Sequence, residues 1–141
     1  MKIKTIINAV CAYLSSLFFA LFGPWNGVLT TLIIFMAVDF TSGLIVAGVF
    51  KKSNKTETGA LQSGVGWKGL AKKCMTILLV GLCHRIDLLL GTNYIMDSVI
   101  IGFIVNEFIS IIENAGLMGL PMPDIIKKAI EILKNKEVNL K

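Results

Sequence analysis

Charged residues are scarce in this sequence, and they are missing altogether from a long stretch near its start. Only 16% of the 141 residues are charged and 55% are hydrophobic, whereas a soluble domain carries roughly 25% charged residues. No charge occurs between Lys4 and Asp39. The chain has too few charges to cover a water-soluble fold, so we expect an all-α integral membrane protein with about four transmembrane helices.

Cysteine and histidine are also rare, and their spacing excludes the common disulfide and metal sites. The three cysteines, Cys11, Cys74 and Cys83, form no CxxC pair, so we expect free thiols and no zinc site. His84 is the single histidine, and its three-residue spacing from Asp87 allows a local hydrogen bond on a helix. No grouping of Ser, His and Asp indicates a catalytic triad. We expect no metal, no cofactor and no enzyme activity.

A glycine-rich motif, Gly64-Val65-Gly66-Trp67-Lys68-Gly69, matches the GxGxxG pattern of dinucleotide-binding folds. Such a motif has to follow a strand and open a helix, and no strand pattern precedes it here. The lysines of this region also lack the interleaved aromatic residues that stack on bases. We interpret the motif as a loop and expect neither nucleotide nor nucleic-acid binding.

Long apolar runs predict the spans and the breaks between them. One helix over the uncharged stretch would be about 50 Å long, against a hydrocarbon core of about 30 Å, so the segment Gly23-Pro24-Trp25-Asn26-Gly27 is expected to divide it. The first run imitates a signal peptide but lacks a small-x-small cleavage site; we expect a retained span rather than a cleaved or interfacial segment. The predicted spans cover about residues 5–22, 27–50, 70–90 and 95–115.

The third predicted span is the least apolar, and polar segments separate or follow the others. His84, Arg85 and Asp87 lie near one end of residues 70–90, where long side chains can reach the interface. Residues 51–73 carry six lysines and predict a loop that becomes helical from Trp67. Pro121 and Pro123 end the fourth span. This division predicts a membrane domain over 1–122 and a cytoplasmic basic tail over 123–141.

The tail contains a short amphipathic helix, predicted over 124–136. Its apolar and polar residues separate at helical spacing. One face holds Ile126, Ala129, Ile130 and Leu133, and the other holds Lys127, Lys128, Glu131 and Lys134.

The distribution of basic residues predicts the orientation in the membrane. Thirteen of the fourteen basic residues lie before the first span, between the second and third spans, or after the fourth. The connections 23–26 and 91–94 hold none, and Arg85 is the exception. Because lysine and arginine are enriched in cytoplasmic segments, we expect four spans with both termini in the cytoplasm and anionic lipid headgroups near the lysine clusters.

Polar and small residues inside the early spans indicate helix packing. Asp39 lies near mid-bilayer, where facing lipid costs roughly 2.5–3.5 kcal/mol, so it should face other helices or water. Small residues permit close helix approach, and they occur at Gly43 and Ala47 in the second span and at Ala12, Ser16 and Ala20 in the first. These faces either pack within one chain or join copies of it.

The fourth span carries a polar stripe. At about 100° per residue, Gly102, Asn106, Ser110, Glu113 and Leu117 fall on one side, with Asn114 at its margin and Glu107 further round. Such a stripe is seldom lipid-facing. It is either a hydrogen-bond network inside the bundle or a surface that lines water or joins another subunit, so we place Asn106, Glu107, Ser110, Glu113 and Asn114 with Asp39 and Gly43 as candidate pore or assembly residues.

Four features together resemble the holin family, which includes phage lysis holins and clostridial toxin-secretion holins. They are Asp39-Phe40-Thr41-Ser42-Gly43, the segment Ser63–Gly69 leading to Lys72-Lys73, the run Asn106–Asn114, and Gly119-Leu120-Pro121-Met122-Pro123 before a basic helix. The likeness runs from about residue 30 to 133. It implies a homo-oligomer in the bacterial cytoplasmic membrane that lets an endolysin or a large toxin pass.

Two other classes stay open on the residues alone. A small ion channel or transporter would use Asp39 and Glu107 as ion-handling groups, although inverted repeats and matching broken helices are not visible in the sequence. A membrane scaffold would conduct nothing.

Overall fold

The fold is all-α over the part of the chain that the structure describes. A computed structural model describes residues 2–138, except for the side chains of residues 133, 134 and 136–138. The elements are α1 (Lys2–Phe22), α2 (Gly27–Ile45), a π-helical turn (Val46–Phe50), α3 (Ser63–Leu90), α4 (Ile95–Leu117) and α5 (Asp124–Val138). The predicted side-chain positions of Leu133 and Lys134, and the end of the tail at Lys141, lie outside the described residues.

The break between the first two helices lies where the sequence predicted it. Gly23 adopts φ 67°, a left-handed conformation that residues with a side chain rarely take, and its N–H donates to Phe19 O at 2.9 Å. Asn26 then caps α2, since its Oδ1 accepts a hydrogen bond from Leu29 N–H at 2.8 Å. A glycine stop and an asparagine cap therefore separate α1 from α2.

Helix α3 begins at Ser63 and not at Trp67, so the prediction of a glycine-rich loop was wrong. The whole GxGxxG motif lies within the first two turns of this helix. Each glycine costs about 1 kcal/mol relative to alanine, but extending a helix adds a hydrogen bond for every residue fixed. Propagation from the apolar part of α3 accounts for the helical conformation of the motif.

The end of the second apolar run has a geometry that no sequence pattern indicated. Residues Val46–Phe50 form a π-helical turn, and Lys51 N–H donates to Val46 O. Lys51 follows in the left-handed region at φ 52°. The apolar helical run is nevertheless continuous over Gly27–Phe50.

Three helices are long and apolar enough to cross a membrane: α1, the continuous run Gly27–Phe50, and α4. Helix α3 has the length, with 28 residues, but it carries Arg85 and Asp87 in its apolar part. Three candidate spans are therefore established within residues 2–138, and a fourth through α3 is taken up below as a proposal.

The helices form two compact units, and α2, α3 and α4 are each divided between them. Unit 1 comprises residues 1–34 and 71–104, and unit 2 comprises residues 35–70 and 105–141. Buried side chains in unit 1 are almost all apolar, with Asp87 as the charged exception: Phe22, Leu29, Leu32, Val80, Met96 and Ile100.

Unit 2 has a more polar interior. Its buried residues include four polar or charged ones beside the apolar side chains. An unsatisfied polar group inside a membrane protein is costly, so each of these four residues needs hydrogen-bond partners: Asp39, Ser42, Glu107 and Asn114.

Helix α1 is exposed along most of its length. Only Phe18, Leu21 and Phe22, in its last turns, are half-buried or buried. The apolar side chains of the preceding turns meet lipid or another molecule when this helix is in a membrane.

Candidate functional site

The first polar cluster joins α2 to α4 inside unit 2. We call Asp39, Ser42 and Asn114 the α2–α4 cluster. Asn114 Nδ2 donates to Ser42 Oγ at 2.9 Å, to Asp39 Oδ1 at 3.3 Å and to Asp39 O at 3.3 Å. Ser42 Oγ–H in turn donates to Asp39 O at 3.0 Å. One amide thus bridges two helices through both backbone and side-chain acceptors.

Burial makes this cluster energetically relevant. Asp39 is 7% exposed and Asn114 is 3% exposed, so water does not compete for their hydrogen bonds. Interhelical hydrogen bonds in membrane proteins contribute about 0.6 kcal/mol on average and up to about 1.7 kcal/mol. The cluster therefore stabilises the contact between α2 and α4 only modestly. It is specific for the register of the two helices, because only one register places the amide beside both acceptors.

The two small residues predicted in the second span lie in different elements: Gly43 in α2 and Ala47 in the π-helical turn. A Cβ on Gly43 would lie 3.7 Å from Asn114 Nδ2, so this glycine borders the α2–α4 cluster. Ala47 is buried in the π-helical turn. Both belong to internal packing of unit 2 in the single chain.

The residues predicted on the last span do not share one environment. Glu107 and Asn114 are buried, Ser110 and Glu113 are half-buried, and Asn106 is exposed. The inward face of α4 in unit 2 is centred on Glu107 and Asn114, which lie seven residues apart and only about 20° apart around the helix. Sequence spacing identified the polar side chains, but it did not identify which of them point inward.

The small residues of the first span remain uncovered. Ala12, Ser16 and Ala20 are all exposed on α1. Their side chains are not buried within one chain, and the backbone carbonyl of Ala20 accepts a hydrogen bond from α3.

The second polar cluster lies in unit 1 and is built on Asp87. Its carboxylate accepts hydrogen bonds from Met96 N–H at 2.8 Å, from Ile95 N–H at 3.1 Å and from Thr92 Oγ1–H at 2.5 Å. The first backbone N–H groups of a helix have no intrahelical partner, and a negative charge there is favoured by the helix dipole. Asp87 thus caps the N-terminus of α4 from the end of α3.

A second charged residue of α3, Arg85, contacts the C-terminal end of α1. Arg85 Nη1 donates to Ala20 O at 3.3 Å. This carbonyl belongs to the last turn of α1, where carbonyl groups lack helical partners and a cation is favourable. The two charged residues of α3 therefore interact with the ends of two neighbouring helices in unit 1.

His84 packs against the turn that follows α1. A Cβ added at Gly23 would lie 2.8 Å from two atoms of the His84 ring, so both the backbone conformation and the space require glycine there. The spacing of His84 and Asp87 allowed a local hydrogen bond, but the Asp87 carboxylate is directed to Thr92 and the start of α4. A cavity of about 250 Å³ lies beside His84, and Asn26, Asn93 and Asp97 are among its lining residues.

Sequence reasoning missed the capping role of Asp87. The available signal was the short turn between two helices, where an acidic residue at the end of one helix is followed by Thr and Asn before the next. Only the folded hairpin shows that the carboxylate reaches backbone groups eight and nine residues later.

No group of three or more His, Cys, Asp or Glu side chains within residues 2–138 could hold a metal ion. The chemistry of both clusters is that of hydrogen bonding and helix-end electrostatics.

Comparison with known proteins identifies the family. A family model described as the bacteriophage holin family matches residues 16–135. This range covers α2, α3 and α4 entirely, together with both polar clusters. The chain belongs to this holin family. Holins permeabilise membranes and are not enzymes, and three apolar helices agree with a holin-like membrane protein.

Several bacterial relatives of this holin match nearly full-length. A Listeria monocytogenes protein is 38% identical over 86% of this chain and 81% of its own length. A Halalkalibacterium halodurans protein is 35% identical over 95% of this chain and 98% of its own length. A Clostridium perfringens protein, described as a 14.9 kDa protein in the nagH 3' region, is 33% identical over 95% of this chain and 99% of its own length. All three are described as uncharacterised, and no solved structure matches this holin.

Proposed function

We propose that this holin oligomerises in the bacterial cytoplasmic membrane and opens a lesion through which an endolysin or a large toxin passes. The match of the holin family to residues 16–135 carries this proposal. The exposed apolar length of α1 supports it, since Ala12, Ser16 and Ala20 offer a small-residue face on which a second copy can pack closely.

We further propose four spans, with residues 1–122 as the membrane domain and residues 123–141 as a cytoplasmic basic tail. The contacts of α3 support its insertion as a span. Arg85 and Asp87 bind the end of α1 and the start of α4, and such pairing lowers the cost of placing charged groups in a membrane helix.

The two short turns support the same topology. Asn26 and Asn93 line one cavity of unit 1, which places both turns at one end of that unit. Trp25 and Tyr94 are exposed in these turns, and both residue types favour the membrane interface. An even number of spans follows when both short turns lie on one side and the lysine-rich segments lie on the other.

Permeabilisation requires rearrangement between copies in this proposal. The α2–α4 cluster satisfies the Asn114 amide within one chain, so its groups become available to water or to another copy only when the two helices separate. Glu107 is buried on the same face of α4 and is exposed by the same movement. Assembly through α1 and opening at the α2–α4 contact are the two proposed steps.

Inducible expression in bacteria tests the proposal. Abrupt growth arrest with release of a cytoplasmic reporter enzyme is expected. Glu107→Gln is expected to change the time of release at matched membrane abundance, because it replaces a buried carboxyl group with an amide and nearly retains shape and hydrogen-bonding capacity. Glu113→Gln, at a half-buried position, is the matched control with a smaller expected change.

Other results would contradict the proposal. Loss of ion gradients without enzyme release would indicate a small channel that uses Asp39 and Glu107, and normal growth at high abundance would indicate a scaffold. If Glu107→Gln, Asn106→Leu and Ser110→Ala all release the enzyme at the wild-type time, the polar residues of α4 serve only helix packing. A neighbouring endolysin gene would specify lysis, whereas a large toxin gene would specify export.

A further inference from the structure

Helix α5 presents an apolar side that the protein leaves uncovered. Ile125 is 82% exposed and Ile132 is 59% exposed. Seven residues separate them, so they lie only about 20° apart around the helix. Ile126 and Ile130 lie roughly 130° further round and are half-buried in unit 2. The helix therefore has two apolar sides, and only one of them is used within the chain.

The position of α5 along the chain limits what can cover the second side. Six residues, 118–123, connect it to α4, and at most about 3.6 Å per residue they reach about 22 Å. The actual connection is shorter, because Gly119 N–H donates to Gly116 O and Leu120 N–H donates to Ala115 O. Since α4 is a candidate span of 23 residues, or about 35 Å, α5 starts at the membrane surface.

The lysine beside the exposed isoleucines fits the same surface. Lys128 lies roughly 50° from the Ile125–Ile132 side and is exposed. Lys127 is also exposed, but it lies roughly 150° from that side, and its Nζ is 3.7 Å from Asp124 Oδ1. An apolar side with a lysine beside it is a feature of helices that lie in the headgroup region of a bilayer.

We propose that α5 lies in the plane of the bilayer surface, with Ile125 and Ile132 inserted among the acyl chains and Lys128 at the phosphate groups. This inference rests on α4 crossing the membrane and does not require lysis. It makes the C-terminal helix a lipid-bound support for the cytoplasmic end of α4.

Fluorescence quenching in proteoliposomes tests the position of α5. The full chain, with Cys11, Cys74 and Cys83 replaced by alanine, carries an environment-sensitive fluorophore on Ile125→Cys, Ile132→Cys or the control Glu131→Cys. Shallow spin-labelled lipids are expected to quench the probes at 125 and 132 several-fold more strongly than the probe at 131. Aqueous iodide should show the opposite order.

Two results would overturn the proposal. Equal iodide quenching at all three positions would mean that the exposed side faces water. Protection at 125 and 132 that grows with the protein-to-lipid ratio, without quenching by labelled lipids, would mean that a second copy covers it. Enzyme release in cells is measured separately, so either result leaves the proposed permeabilising function standing.

A comparison of two vesicle compositions tests the contribution of Lys128 to lipid binding. Lys128→Gln should shift the docking equilibrium about five-fold in phosphatidylcholine vesicles containing phosphatidylglycerol, with little change in pure phosphatidylcholine. An equal shift in both lipids, or none in either, would contradict the proposed contact with phosphate groups.

Discussion

At the scale of single residues, Asn114 donates interhelical hydrogen bonds to three acceptors. Its amide reaches a hydroxyl, a carboxylate and a backbone carbonyl of α2. A carboxylate alone at the Asp39 position would have to find a donor, and asparagine provides one without adding a second charge to a buried site. The amide group of Asn114 thus links α2 and α4.

We predict that Asn114→Ala lowers the free energy of unfolding by about 1 kcal/mol, within the range measured for interhelical hydrogen bonds in membranes. Reversible unfolding in bicelles measures the change. Asn106→Ala is the matched control on the same helix, because Asn106 is exposed, and it should change stability by less than about 0.5 kcal/mol. Equal effects of the two substitutions would show that the α2–α4 cluster contributes nothing specific.

At the scale of the elements, the hairpin of α3 and α4 depends on a cap supplied by the preceding helix. The Asp87 carboxylate satisfies two backbone N–H groups at the start of α4 and the Thr92 hydroxyl. A capping residue usually belongs to the helix that it caps. Here the cap also fixes the geometry of the turn between the two helices.

We predict that Asp87→Ala destabilises this hairpin by about 1–3 kcal/mol, because it leaves buried donors without a charged acceptor. Asp87→Asn should cost less, since the amide oxygen still accepts. Hydrogen exchange at Ile95 and Met96 reports the loss locally, with Asp124→Asn as an exposed acidic control. Unchanged exchange at these amides in Asp87→Ala would exclude the capping role.

The first helix permits a cleaner test of assembly than the second. Gly43→Leu would enlarge α2 close to Asn114 Nδ2 and so disturb packing inside one chain. Ser16→Leu changes only an exposed position of α1. We therefore predict that Ser16→Leu weakens crosslinked ladders in membranes while Ser15→Leu, about 100° round the same helix, leaves them unchanged. If the crosslinked ladders persist in Ser16→Leu, the small-residue face of α1 is not part of the interface between copies.

At the scale of the whole molecule, the number of spans decides whether the two termini lie on the same side of the membrane. Three helices qualify by length and composition, and the contacts of Arg85 and Asp87 support α3 as a fourth. An even number of spans returns both termini to the same side, which is the arrangement that the lysine distribution favours.

We predict that external thiol reagents label Asn93→Cys and Asn26→Cys and spare Ser53→Cys in a background without native cysteines. Asn26 caps α2, and its loss costs about 1 kcal/mol, so the exposed Pro24→Cys checks the same turn without removing the cap. Labelling of position 53 from outside would refute the four-span topology. An absence of labelling at position 93 would show that α3 does not cross the membrane.

Local chemistry was sufficient to predict the all-α class and the break after Phe22. Each depends on composition, or on a glycine or proline that acts on its own neighbours. The start of α3 was missed because local glycine propensity competes with extension of a helix from its apolar part.

Tertiary structure alone decided which polar residues meet. Asp39 and Asn114 are 75 residues apart in the chain and form a hydrogen bond, while Asn106 lies on the same helix as Asn114 and faces outward. Helical spacing gives relative angles around one axis, but the rotation of that axis is set by its neighbours. The same reason applies to Asp87, whose carboxylate could bond His84 within its own helix and instead caps α4, because folding brings unpaired backbone donors within its reach.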